Sequence, residues 1–112
     1  MNLFEYITEN SPPRAWLDLS DEAKRLVTVL EEASVEPGIW MASIHDWNSM
    51  TEGLDWSDML DAALDLGRWT KLATVVIGDS DTLRVLISVP EYFDRLNKVA
   101  SRLVGKVQEI AA

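Results

Sequence analysis

The chain has 112 residues, of which 47% are hydrophobic, with five tryptophans and no cysteine. That size fits one domain with a packed core rather than a disordered chain, and the missing cysteines exclude a disulfide framework and thiolate metal sites. The formal charge of −9 is unevenly divided, −11 over residues 1–65 and +2 over residues 66–112, which argues against direct nucleic-acid binding because phosphate contacts need a positive field.

Residues 1–10 hold Glu5 and Glu9 and no base, unlike a secretory signal. No window offers 18 uncharged apolar residues for a membrane span. A soluble cytoplasmic protein without membrane contact is the expectation. Leu3, Phe4 and Ile7 share one face of a short helix over residues 2–9, which Pro12 and Pro13 terminate. Ser11 before Pro12 reads as a second helix start, with Trp16 and Leu17 in its first turns.

A firmer helix is predicted over residues 20–34. Ser20 suits the N-cap, and Asp21 and Glu22 suit the positive end of the helix dipole. Its apolar stripe is Leu19, Ala23, Leu26, Val27, Leu30 and Ala33, and Glu36-Pro37-Gly38 ends it. Residues 39–45 read as a possible strand. Residues 46–57 read as a polar loop pinned by its aromatics.

Asp55 or Ser57 can cap a helix over residues 58–66 that Gly67 closes. The β-branched runs at about 69–77 and 82–89 flank the turn cluster 78–81 and predict an antiparallel hairpin. On its second strand Leu83, Val85, Ile87 and Val89 point one way, and Arg84, Leu86 and Ser88 the other. Pro90 then opens a long amphipathic helix over residues 90–112. One of its faces carries Tyr92, Leu96, Val99, Leu103, Val107 and Ile110; the other carries Arg95, Lys98, Arg102 and Lys106. Glu91–Arg95 and Asp94–Lys98 have the spacing of helical ion pairs. The expected fold is a single α+β domain spanning 1–112, with three or four helices packed on one face of a small antiparallel sheet.

The sequence carries little chemistry. His45 is the lone histidine, and on a strand it points away from Asp46. Asp79-Ser80-Asp81 resembles the start of a calcium loop, but Arg84 and Pro90 occupy the slots that need Gly and Glu. No phosphate-binding glycine loop occurs. Neither an enzyme nor a cofactor or metal site is expected.

One arrangement stands out. Between Asp46 and Asp65 lie six acids and no base: Asp46, Glu52, Asp55, Asp58, Asp61 and Asp65. Asp58, Asp61 and Asp65 share a helical face, and like charges at this spacing oppose helix formation. The face is a solvated surface, a partner for the basic stripe of the last helix, or a binding surface for a basic groove. Trp47 and Trp56 in the same stretch have the make-up of aromatic anchors ringed by polar groups. The leading expectation is a small acidic protein that covers a basic surface on a protein partner, such as a nucleic-acid-handling complex. By size and charge alone, a phage-type inhibitor, an anti-CRISPR protein or an immunity protein would fit. A homodimeric structural or regulatory subunit, joined by the long helix or the hairpin edge, is the alternative, and an enzyme with a carboxylate site ranks last.

Overall fold

A computed structural model describes the backbone of residues 2–111 and the side chains of residues 2–33 and 35–104. The fold is α+β, with a four-stranded antiparallel sheet in the order β1-β2-β4-β3. The strands are β1 (Ser34–Glu36), β2 (Ile39–Ser43), β3 (Ala73–Ile77) and β4 (Arg84–Ser88). Before and between them run α1 (Leu3–Asn10), α2 (Ala15–Asp18), α3 (Asp21–Glu32), α4 (Ile44–Met50) and α5 (Trp56–Trp69). A single 3-10 turn at Pro90–Tyr92 leads into α6 (Phe93–Ala111).

Strand alternation explains the layers. Trp40, Ala42, Val85, Ile87 and Val76 point toward one side, where α1, α3, α4 and α5 bury Leu3, Ile7, Leu26, Leu30, Trp47, Met59 and Leu66. Ile39, Met41, Leu86, Val75 and Ile77 point to the other side, beneath Leu96, Ala100, Val99 and Leu103 of α6. The expected helical cover on one face is thus corrected to cover on both. The reason lies in β4, where Val85, Leu86, Ile87 and Ser88 are all buried. A strand apolar on both sides needs a layer on each. The predicted orientations along β4 hold, with Val85 and Ile87 opposite Leu86.

Local chemistry sets the boundaries. The Ser20 hydroxyl accepts from the Ala23 N–H at 3.1 Å and starts α3 as expected. The second helix starts at Ala15, not at Pro12, and Arg14 gives it no side-chain cap. Pro37-Gly38 closes a hairpin between β1 and β2 rather than merely ending a helix. Gly38 has φ 85°, a conformation that favours glycine. The β2 strand ends at Ser43, because Ser43 and Asp46 form a capping box that turns the chain into α4. Residues 46–57 are therefore partly helical rather than a loop. Gly67 does not close α5. It lies within the helix, where a side chain would meet Thr74 of β3 at 3.4 Å. The hairpin is shorter than expected, since Trp69 belongs to α5.

Along α6, Leu96 and Ala100 are buried and Val99 and Leu103 half-buried, whereas Tyr92 is exposed. The expected contributions of Val107, Ile110 and Lys106 lie outside the described side chains. Among the described residues, no helix is long and apolar enough to cross a membrane.

Candidate functional site

The acidic stretch folds into the end of β2, α4, a short connection and α5, and most of its carboxylates cap helices. Asp46 Oδ2 accepts from the Ser43 N–H at 2.9 Å and from the Ser43 hydroxyl at 3.0 Å. Asp55 Oδ1 accepts from the Ser57 N–H at 2.9 Å, the Ser57 hydroxyl at 2.6 Å and the Asp58 N–H at 3.2 Å. Asp58 Oδ2 in turn accepts from the Asp55 N–H at 2.9 Å. Three orphan donors at the start of α5 are thereby satisfied. The Ser57 hydroxyl, followed by the Asp58 N–H, holds the Asp55 carboxyl below its ordinary range, because both bonds favour the charged form.

Asp65 acts over a longer range. One of its oxygens accepts from the Ser20 N–H at 2.8 Å, and the other from the Trp69 indole N–H at 3.1 Å. It ties the start of α3 to α5. Trp47 is fully buried, and its indole donates to the Asp55 carbonyl at 3.1 Å. The Trp47 side chain is accordingly a core group and presents no surface to a partner. Glu52 and Asp61 are exposed, and neither carboxylate accepts a hydrogen bond among the described residues.

What remains exposed is a compact face of α5. Trp56 and Leu64 are 43% and 62% exposed, and the half-buried Leu60 lies between them at four-residue spacing. Sequence reasoning omitted both leucines, although their spacing from Trp56 was available as a signal. On the other flank of α5, toward the start of α3, a concavity of about 390 Å³ is lined by Ser20, Glu22, Asp58, Asp61, Ala62 and Asp65. It holds four carboxylates and no base. The basic stripe does not answer it, because α5 and α6 lie on opposite sides of the sheet. Internal pairing of the two stripes is thus overturned. Among the described residues the ion pair found is Arg95 Nε with Glu36 at 3.5 Å. Arg95 therefore reaches across to β1 rather than back to Glu91.

Other chemistry is sparse. His45 is exposed on α4, and Asp46 is committed to Ser43. Among the described residues, no three His, Asp or Glu side chains are grouped to hold one metal ion. A second concavity, of about 310 Å³, is lined mainly by Tyr6, Trp40, Val89 and Tyr92, with Glu91 at its rim. Burial, and next the Glu91 charge, raise the Tyr6 phenol above its ordinary value. No family model, curated protein or solved structure matches the chain.

Proposed function

We propose that this chain is an acidic, non-enzymatic binding protein that docks α5 onto a basic surface of a protein partner. The supporting observation is that α5 carries exposed Trp56 and Leu64 with half-buried Leu60 on one flank and a carboxylate-lined concavity without a base on the other, with the exposed Asp61 between them. Apolar anchors supply contact area, and the surrounding charge steers encounter and selects the partner. Occupation of a basic groove in this way would block whatever that groove normally holds, as an inhibitor or an immunity protein does.

The residues to change are those not used in folding. Asp58 and Asp65 are poor choices, since their reversal would also break the cap and the link to Ser20. Glu52→Lys with Asp61→Lys reverses charge without removing a described hydrogen bond, and Trp56→Ala removes the anchor. Affinity capture from host lysate, followed by titration of the purified partner at low and high salt, tests the reading. The double reversal should leave the melting temperature within a few degrees and weaken binding at least about tenfold. Wild-type affinity should fall as salt rises. Unchanged affinity in both variants would sink the assignment.

A further inference from the structure

The two edges of the sheet are guarded very differently. The β1 edge is three residues long, breaks register between Ser34 and Glu36, and runs into Pro37. A short strand, an irregularity, a charge and a proline are the usual devices against edge-to-edge pairing. The β3 edge has none of them. Its five residues are Ala73-Thr74-Val75-Val76-Ile77, regularly paired to β4 on one side only, and every one is half-buried. It is a row of unpaired backbone groups carrying β-branched side chains, which is the form a sheet edge takes when another strand completes it.

We infer that the β3 edge pairs with the β3 edge of a second copy of this chain, antiparallel and centred on Val75. The flanking charges support the self-complementary choice. Lys71 lies four residues before Val75 and Asp79 four after it, and both are exposed. In this register Ala73 faces Ile77, the stretch 71–79 is neutral as a whole, and each Lys71 approaches the other copy's acidic turn, in which Asp79 Oδ1 accepts from the Asp81 and Thr82 N–H groups. An isologous contact of this kind closes after two copies and needs no further surface.

The layers are compatible with it. Helix α6 packs over both β3 and β4, about one strand spacing from the proposed axis, so two copies of α6 would lie roughly 10 Å apart. Val104, 39% exposed on α6, is then near a partner. On the other side, Leu60 and Leu64 lie along the row of α5 that carries Gly67, the residue against Thr74. The pairing leaves Asp61 and Glu52 free but draws on the same Leu60 and Leu64 as the partner-binding reading, so the two share one flank of α5. The two also respond oppositely to salt. Screening weakens docking on a basic partner, but it strengthens association of two chains that each carry −9.

The absence of native cysteine allows a register-specific test. Cysteines at 75 would sit across the axis with Cβ atoms about 5 Å apart, within reach of a disulfide after small adjustment. Cysteines at 73 would be about 13 Å apart and out of reach. Light scattering of the wild-type chain at about 0.1 mM, a level that fills an interface of micromolar Kd, should give twice the 12.6 kDa chain mass. The dimer fraction should rise with salt. Mild oxidation should convert Val75→Cys to covalent dimer and leave Ala73→Cys largely monomeric. Circular dichroism on both variants confirms the fold. A monomeric mass with no cross-linking overturns the inference, and equal cross-linking of the two variants overturns the register. A monomeric chain that takes up a synthetic peptide of residues 71–79 would assign the edge to an extended peptide and equally overturn the dimer.

Discussion

Helices α5 and α6 are both amphipathic and lie on opposite sides of one sheet, yet they use charge in opposite ways. On α5, Asp58 and Asp65 are committed to backbone N–H groups, and Asp55 caps the helix start. On α6, Lys98 and Arg102 are exposed, and Arg95 makes an exposed contact with Glu36 and lies 6.0 Å over the Tyr92 ring. The difference shows that a charge stripe and a charge function are separate properties. Similar spacing gives structural carboxylates on one helix and solvated cations on the other.

The contrast can be broken most violently where both helices depend on the core. Leu96 is the fully buried anchor of α6. Leu96→Asp should cost upward of about 4 kcal/mol, because it leaves an uncompensated charge under the sheet. Loss of the cooperative thermal transition is the expected readout. A melt within a few degrees of wild type would mean that α6 does not pack as described.

A smaller effect sharpens the comparison within α5. Asp65→Ala leaves the Ser20 N–H and the Trp69 indole without their acceptor, and it should cost about 1–3 kcal/mol in denaturant unfolding. Asp61→Ala, one turn earlier, should fall within about 0.5 kcal/mol of wild type, as should Lys98→Ala on α6. Equal costs for Asp61 and Asp65 would erase the distinction between structural and free carboxylates.

The finest test uses pH. The Asp55 carboxyl is held below its ordinary value of 3.8 by the Ser57 hydroxyl and then the Asp58 N–H. A depressed folded-state value means that the stability it contributes is present above 3.8 and is lost as pH falls through the lower, folded value. Asp55→Ala should therefore melt below wild type at neutral pH, and the gap should narrow in acid below 3.8. A gap that stays constant to low pH would show that the cap does not depend on ionisation.

Much of the fold was legible where local chemistry decided it. The β-branched runs, the Gly78 turn and the caps at Ser20 and Asp55 are all signals within a few residues, and each appears in the structure. Helix α4 escaped because its turn-rich composition hid the Ser-x-x-Asp pattern at Ser43–Asp46, which is a capping box. Strand β1 is too short for any period to show. Gly67 misled because its reason is tertiary, the close approach to Thr74. The candidate site was legible as a region but not residue by residue. Nothing local tells Trp47, sealed in the core, from Trp56, exposed nine residues later. Nor could spacing reveal that Asp65 reaches back to Ser20, since that contact spans two helices.

The sheet order has a consequence for how the chain reaches this state. Strand β2 pairs with β4, so Ser43 meets Arg84 and Ile39 meets Ser88, with α4, α5 and β3 all lying between them in sequence. The β3–β4 hairpin needs only its own turn, whereas β2 must close a loop of about forty residues before any of its ladder forms. The chain thus carries a fast local half and a slow non-local half. The search for the β2–β4 contact, rather than the helices or the hairpin, should set the time the molecule spends with β4 open on one side.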